Sequence, residues 1–599
     1  METFLKSYTK EEYFLRRIDI KMKIAQKEET KNIKPFSNYF KEMLISRGVV
    51  NIEDWKEYYY PTKKNILNPL LLDGIVEAYS ILLKNIDKKI GILVDSDADG
   101  FSSAAMLLNY LLRINKNLNY ITFFHAEKQH GLKDSVNYFI SQRCDLVIVP
   151  DAGTNDLKEQ EKLYLNSIDL IILDHHEKEH EINQKNGFAI VNPQIDNYPN
   201  KGLSGGGVVF KFLQYLDTVF NVEYSDDYYD LAAFSIIGDM LNITTLENRY
   251  LITRGLKNIK NPFLKSAISK QSFLIGEELA PHGVSFYITP LINSMIRFGE
   301  QENKTKLFLS LLDNDGKQII NQKYQSLSEV MVEECIKTKN KQDSVTKKCF
   351  SKAIKELEEK GLLNNEIIIY QKILKNEEEK AINGLIAMNL ASELNKPVLY
   401  LIKTSSGLQG SCRNPDGHPI KDFKEYLKES GFVEYAQGHA NAFGVSIKEE
   451  NIEKLIDKSN SDIKNISINN IHYVDFIRKQ DDYDIDTLIE NLAANDDLYG
   501  IGNKVPEIAL TLKICANDIK IKGNYLDTVG IKCDGYSLVK FKDKEFAELI
   551  DTCQLGEITI IGTPSLNYWK DNIIKQIIIK DFELKIIDKK LSEEEFFII

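Results

Sequence analysis

Short apolar runs, each closing on a polar side chain, recur between residues 89 and 192. KIGILVD ends on Asp95, LVIVPD on Asp151, DLIILD on Asp174 and FAIVN on Asn192. Runs this short and continuous predict strands buried on both faces, the texture of a parallel sheet covered by helices. Longer stretches with helical periodicity separate them, so residues 86–260 are expected to form an α/β domain. In open α/β sheets ligands bind beyond the carboxyl ends of the strands. Four strand ends are therefore expected to bring polar groups to one crevice.

The pattern differs on either side. Residues 1–85 carry amphipathic helical patterns such as FKEMLISRG and DGIVEAYSILLKNI. Within 222–260, LAAFSIIGDML is an apolar helical face with one acid, Asp239. Residues 261–364 predict a helical connector, with Asp/Gly breaks near 313–316 and a basic run, KTKNKQDSVTKK. A second α/β unit is expected over 365–450, where EIIIYQKIL and KPVLYLI flank the helical GLIAMNLASELN. An acidic linker with helices follows over 451–504. Residues 505–599 alternate short strands and turns and predict a small β-barrel.

A chain of 599 residues exceeds one core, in keeping with several domains. The net charge of −12 argues against a surface that attracts nucleic acid everywhere, yet leaves room for a local basic channel and suits carboxylates gathered around metal ions. Seven scattered cysteines without a C-x-x-C pair argue against disulfides or a zinc knuckle and are expected to be buried thiols. No run approaches the roughly 18 apolar residues of a membrane span, and METFLKSYTKEEYFLRR lacks the apolar core of a signal peptide, so a cytoplasmic location is expected.

The candidate chemistry sits at the strand ends. VDSDADG sets Asp95, Asp97 and Asp99 at alternate positions before a helix, PDAGTND adds Asp151, and IIGDML adds Asp239. LDHHEKEH, residues 173–180, holds three of the nine histidines and adds Asp174, His175 and His176. The VDSDADG run is not a calcium loop, because the Glu required at loop position 12 is a Leu. Taken singly, each acid reads as a helix cap. Together they are too many, since burying that many carboxylates without cations costs several kcal/mol each. An oxygen-rich set with one or two imidazoles suits Mn²⁺ or Mg²⁺ better than zinc. Two such ions about 3.5–4 Å apart clamp the attacking and leaving oxygens of a phosphoryl displacement.

VDSDADG, VPDAGTND, LDHHE and IIGDML, in that order, resemble the signature motifs of the DHH phosphoesterase superfamily. NGLIAMNLASELNKPVLYLI, GSCRNPDG and QGHANAFGVSI resemble the DHH-associated domain. LYGIGNKVPE and TPSLNYWKDNIIKQIIIKD resemble the C-terminal OB-fold barrel of the RecJ family of single-strand-specific 5′ exonucleases, and NPLLLDGIVEAYSIL looks RecJ-like as well. The resemblance spans roughly residues 40–590. It implies an α/β multidomain protein: DHH parallel-sheet domain, long helical connector, DHH-associated substrate-binding domain and OB-fold barrel. It implies 5′-to-3′ degradation of single-stranded DNA to 5′-mononucleotides with two Mn²⁺ or Mg²⁺ ions, DNA repair and recombination as the setting, and a single-stranded-DNA-binding protein as partner. The chain is expected to act as a monomer, because its own domains supply the clamp.

Carried over residue by residue, the metal ligands are Asp95, Asp97, Asp99, Asp151, His175 and Asp239. Asp174 and His176 take catalytic supporting or phosphate-contacting roles. Asn293, Arg297, Ser411, Arg413, Gly438 and His439 fall at substrate-binding positions. Tyr525, Tyr536, Phe541, Tyr568 and Trp569 are candidates for base stacking in the barrel. This chain departs from the family pattern with Ser96 for a tyrosine, Gln437 for a glycine and Leu291 for an arginine. Two other readings compete: a DHH phosphodiesterase for short oligonucleotides or cyclic dinucleotides, whose relatives usually lack the barrel, and a non-catalytic DNA-binding scaffold, which the complete ligand set opposes.

Overall fold

The computed structural model describes residues 23–26, 39–48 and 51–589, apart from 127–128, 182–184, 277–278, 314–316, 321–322, 374–376, 405–406, 416, 464–470, 524 and 570–571. Much of the expected N-terminal helical region, and part of the break expected at 313–316, thus lies outside the described residues.

Helix α1 (Ile75–Asn85) opens the first α/β unit and buries Ile75, Ala78, Ile81 and Leu82 along one face. Gly74 before it has φ +79, and a Cβ there would meet Ile190 O at 2.6 Å, so the chain passes too close to the sheet for any side chain. Five strands follow: β1 (Lys89–Val94), β2 (Asn119–Phe124), β3 (Leu146–Pro150), β4 (Asp169–Leu173) and β5 (Phe188–Val191). They form a parallel sheet in the order β2-β1-β3-β4-β5. Alternate residues feed two cores. Ile148 and Ile171 join the larger one, while Val147, Val149, Leu170 and Ile172 join the one under helices Ser135–Ser141 and Leu157–Leu165. This two-sided burial is why the runs read as unbroken apolar stretches. Strand β2 is an edge strand, only partly buried along its length. It lacks the continuous apolar signature and is not among the four expected runs.

Helix α2 (Ala98–Ile114) lies at the centre of the unit and is buried over nearly its whole circumference. Helices α3 (Gly205–Phe220) and α4 (Tyr229–Gly238) pack against it. Helix α5 (Thr289–Phe298) follows a π-helical turn, Val284–Ile288, and its Asn293 reaches the start of α2. The helical connector ends in α6 (Leu327–Glu359), opened by a reciprocal Ser326–Glu329 capping box.

The second unit is a five-stranded sheet of β6 (Ile368–Lys372), β7 (Val398–Thr404), β8 (Gly407–Arg413), β9 (Val433–His439) and β10 (Ala442–Ile447), ordered β9-β10-β8-β7-β6. Strands β6 and β7 are parallel and joined through α7 (Asn383–Leu394); the other pairings are antiparallel. A third sheet joins β11 (Phe476–Lys479), β12 (Ile508–Cys515), β13 (Ile519–Lys522), β14 (Thr528–Lys532), β15 (Ser537–Lys540), β16 (Cys553–Trp569) and β17 (Asn572–Lys589) in the order β11-β12-β16-β17-β15-β14-β13. Among the described residues this β-rich unit runs from edge to edge, with no pairing that closes the ring.

Two stretches pack in ways that periodicity does not specify. Within 451–504, helix Ile452–Ile463 enters the core of the second sheet, while β11 and helix Ile485–Ala493 join the third. From the N-terminal region, Phe40, Met43, Leu44 and Tyr58 are also buried in the third core. Arg47 locks this arrangement with a bidentate pair to Asp475, at 2.7 and 2.9 Å.

Candidate active site

The carboxyl ends of β1, β3, β4 and β5 carry Asp95, Asp151, Asp174 and Asn192, as the pattern of runs anticipates. Each residue continues its strand before the chain turns away. Asp151 N–H donates to Leu173 O at 2.8 Å and Asp174 N–H to Val191 O at 3.0 Å, which sets the ends side by side. Asp151 has φ +68, a left-handed conformation that costs a non-glycine residue about 1 kcal/mol. The other acids come from helix ends. Asp97 caps α2, accepting from Gly100 N–H at 3.0 Å; Asp99 lies in its first turn; Asp239 follows the last turn of α4.

Asp99 is held on several sides. Gly205 and Gly206, at the N-terminus of α3, donate to its two oxygens at 2.9 Å each, Ser103 Oγ donates at 2.9 Å, and Ser235 Oγ donates as well. A helix N-terminus is suited to a carboxylate. The signal for this clamp is the run SGGG at 204–207, Ser204 being the N-cap of α3. The glycines are required. A Cβ on Gly205 would meet Asp151 Cα at 2.6 Å, and one on Gly206 would meet Ser235 Oγ at 2.4 Å.

His175 sits among the acids. Its Nε2 lies 3.2 Å from Asp151 Oδ1, 3.6 Å from Asp239 Oδ2 and 4.0 Å from Asp99 Oδ2. His176 turns back to Asp174, Nδ1 to Oδ1 at 2.8 Å. The buried Asp174 also accepts from the backbone N–H groups of His175 at 2.7 Å, His176 at 3.1 Å and Thr154 at 2.9 Å. Asp174 is therefore committed to its own turn and to His176. Asn192 braces the same turn by donating to Thr154 Oγ1 and His176 O.

The electrostatics are those of a cluster suited to cations. Burial, then the charges of Asp99 and Asp97, push Asp239 up to about 8. Burial and the surrounding carboxylates hold Asp151 well above the ordinary carboxylate range. Burial lowers His175, and the neighbouring His176 charge lowers it further, which keeps the imidazole neutral as a ligand. For His176 burial acts downward too, but the Asp174 carboxylate outweighs it and raises the ring to about 10. Asp151 Oδ1 is buried with no hydrogen-bond partner among the described residues. An orphaned carboxylate oxygen beside a neutral imidazole and two further acids is a donor set that fits a hard divalent cation. Among the described residues three groups have ligand atoms within 4.8 Å of one another: Asp151 with His175 and His176; Asp99 with His175 and Asp239; Asp95 with Asp97 and His130.

His130 and His125 are absent from the residues that the motifs single out. His125 directly follows β2, a fifth strand end, and the edge strand that carries no continuous apolar run leaves its histidines unmarked. His130 Nδ1 lies 2.5 Å from Asp95 Oδ2.

The second unit supplies cations. Ser411 and Arg413 on β8 pair with Gly444 and Ala442 of β10, which in turn pair with Gln437 and His439 of β9. Arg413, Ser411, Gly438 and His439 thus share one end of three adjacent strands. Gly438 has φ +130, and a Cβ there would come within 3.0 Å of Phe443 Cα. Arg413 is depressed first by burial, and the nearby Arg297 guanidinium adds to this. Against burial, His130 and the Gly100 N–H hold Asp97 low, and Arg297 on α5 adds to this; α5 meets the start of α2 through Asn293 and packs Phe298 against the second unit. The Arg297 Nε is buried with no hydrogen-bond partner among the described residues. Two guanidiniums that feel one another's charge offer a paired site for an anion. Asn293 instead accepts from Ala98 N–H at 3.1 Å and fixes α5 to the start of α2. Leu291 is buried in the main core, so its side chain does not reach the crevice.

Among the barrel aromatics, Tyr525, Phe541 and Tyr568 are exposed, whereas Tyr536 packs against the third core. The side chain of Trp569 lies outside the described residues.

The DHH family N-terminal domain matches residues 89–236. An SPbeta prophage protein of Bacillus subtilis (strain 168), provisionally named single-strand DNA-specific exonuclease YorK, is 31% identical over 577 residues, covering 92% of this chain and 97% of its own. The single-stranded-DNA-specific exonuclease RecJ of the same organism is 25% identical over 559 residues, covering 90% and 67%. RecJ from Thermus thermophilus, solved in complex with Mn²⁺, shares the fold with a TM-score of 0.70 at 19% identity, over 92% of this chain and 79% of that one. With its motifs, its site and near-full-length similarity to such a relative in place, the chain belongs to the DHH family and, within it, to the RecJ group.

Proposed function

We propose that the protein is a metal-dependent 5′-to-3′ exonuclease that hydrolyses single-stranded DNA to 5′-mononucleotides. One observation carries this reading: Asp99, Asp151 and Asp239 converge on His175 at the strand ends, and Arg297, one turn beyond the Asn293 that binds the start of α2, bears its charge on both Asp97 and Arg413. A site for cations beside a site for an anion suits a phosphodiester held across the crevice. The names of the relatives, single-strand-specific exonucleases, support the substrate class.

Asp97, Asp99, Asp151, His175 and Asp239 would hold two divalent ions, Mn²⁺ or Mg²⁺, with Asp95 at the edge of the set. Such ions neutralise charge on the scissile phosphodiester and make water nucleophilic at neutral pH. The chain's own groups do the rest. Gly205, Gly206 and Ser235 keep Asp99 in place. Asp174 keeps His176 protonated and turned to the rim, where its charge meets a phosphate oxygen. Arg297 and Arg413 grip the phosphate, while Ser411, Gly438 and His439 line the path of the following nucleotides. Exposed Tyr525, Phe541 and Tyr568 offer stacking faces to the strand beyond. One chain supplies both walls, so it acts as a monomer.

The test is a single-stranded 40-mer labelled at one end, with Mn²⁺, comparing the wild type with Asp151→Ala. The 5′ label is expected to appear at once as mononucleotide while the 3′-labelled strand shortens progressively. A duplex stays intact and the variant is inactive. A 40-mer that survives while dinucleotides are cut would replace this reading with a small-substrate phosphodiesterase.

A further inference from the structure

Residues 129–132, which follow β2, are built onto the acidic cluster more firmly than a surface segment needs. Asp95 is fully buried, and both its oxygens engage this segment: Oδ1 accepts from Gly131 N–H at 2.9 Å, and Oδ2 meets His130 Nδ1 at 2.5 Å. Ser96 Oγ donates to Gln129 O, and Leu132 N–H donates to Asp156 Oδ2 at 2.7 Å. Gly131 has φ +79, and a Cβ there would meet the same Asp156 oxygen at 2.1 Å. The His130 backbone is thus fixed from both sides, by Ser96 before it and by Asp95 and Asp156 after it. A second imidazole points the same way. His125 Nε2 is buried with no hydrogen-bond partner among the described residues, 3.9 Å from Asp95 Oδ1.

A carboxylate that accepts from Nδ1–H fixes the imidazole as the tautomer with its lone pair on Nε2, and this is the usual support of a metal-binding histidine. A ring nitrogen of His130 and carboxylate oxygens of Asp95 and Asp97 all lie within 4.8 Å of one another. We propose that His130 is a ligand of the ion held by Asp97, and that Asp95 is the carboxylate that orients it. The inference rests on the reading above that the cluster holds two ions. It gives each ion an imidazole, His175 for one and His130 for the other. Nitrogen donors favour transition ions over the oxygen-preferring Mg²⁺, so the Asp97 site is selective for Mn²⁺. It also accounts for Ser96: a small hydroxyl at that position is what ties down the loop bearing His130.

The experiment is a Mn²⁺ titration of the full chain by calorimetry and electron paramagnetic resonance, for the wild type, His130→Ala and His130→Asn. The wild type is expected to bind two ions. In both variants one site weakens 10- to 100-fold, roughly the size seen when support of a metal site is lost, and the other is unchanged. The nitrogen couplings to Mn²⁺ fall from those of two imidazoles to those of one. Unfolding in EDTA is unchanged, which separates ligation from folding. Two Mn²⁺ sites of wild-type affinity in both variants, with only the KM for DNA raised, would overturn the assignment and make His130 a phosphate contact. A wild type that binds fewer than two ions would instead overturn the two-ion reading itself.

Discussion

Gly205→Ala tests whether close backbone packing, rather than ligand chemistry alone, shapes the site. The substitution adds one methyl group far from the solvent. That Cβ would lie 2.3 Å from Asp151 Oδ1, 2.5 Å from its Cβ and 2.6 Å from its Cα. Two of these atoms are anchored by the strand end, so a side-chain rotation does not relieve the overlap. Reaching ordinary contact requires the start of α3 to retreat by about 0.8 Å. The two 2.9 Å bonds from Gly205 and Gly206 to Asp99 would stretch to about 3.7 Å, beyond hydrogen-bonding range. Overpacking costs about 1–3 kcal/mol, and each bond to a charged group is worth about 1.5–3 kcal/mol, so the total is about 4–9 kcal/mol if both bonds are lost. Local relaxation divides this between stability and metal affinity. The expected result is a weaker Mn²⁺ affinity, a lower unfolding midpoint and nuclease activity down at least 100-fold on the labelled 40-mer. Gly530→Ala is the control: the nearest atom to its Cβ is Lys520 O at 3.8 Å, and activity should stay within twofold. A Gly205→Ala protein with wild-type stability, Mn²⁺ affinity and rate would refute the argument.

His176, pushed up to about 10, should remain protonated in metal-free protein to pH 8 and beyond by imidazole NMR, and in Asp174→Asn should lose its charge near or below the ordinary histidine range. The sign for stability follows: the gain is fully present below the unfolded value, near 6.5, and is lost as pH rises through about 10. A wild-type titration midpoint between about 6 and 7, the ordinary histidine range, would contradict the pairing. Arg249→Met should loosen the contact between the first and third units. The fully buried guanidinium donates to Tyr58 O at 3.0 Å and to both the carbonyl and the carboxylate of Asp497. Because Asp497 is half exposed and can hydrate, the expected loss is about 1.5–3 kcal/mol. Urea unfolding and faster proteolysis near residues 495–505 would register it, and unchanged values for both would count against the strut.

How much of this is legible in the sequence depends on burial. Ile148, Val149, Ile171 and Ile172 sit in strands covered on both faces, so their runs are continuous and their terminal aspartates conspicuous. Strand β2 at the sheet edge has partly exposed residues, and His125 and His130 pass unremarked behind it. The acids can be placed at strand and helix ends, but not their division of labour. Asp174 faces inward to its own turn and to Thr154, 20 positions away, whereas Asp99 is gripped by the start of α3, more than a hundred positions away. The hosts of Phe40 and of β11 are likewise hidden, because an amphipathic face declares that it will be covered without saying by what. Leu291 is the converse case. Its apolar character is visible, and burial in the main core shows that position to be packing rather than part of the crevice.

The 33 residues of α6 make it about 50 Å long, an unbroken rod leading from the unit that carries the acids to the unit that carries Arg413. A rod of this kind counts residues. Adding one would turn everything beyond it by about 100° and advance it by about 1.5 Å, swinging Arg413 out of alignment with Arg297. Adding seven would nearly restore the facing but open the gap by about 10 Å. The width of the slot between the two guanidiniums is therefore encoded as a number of helical steps. Exposed positions along α6 are free to vary in identity, but not in number.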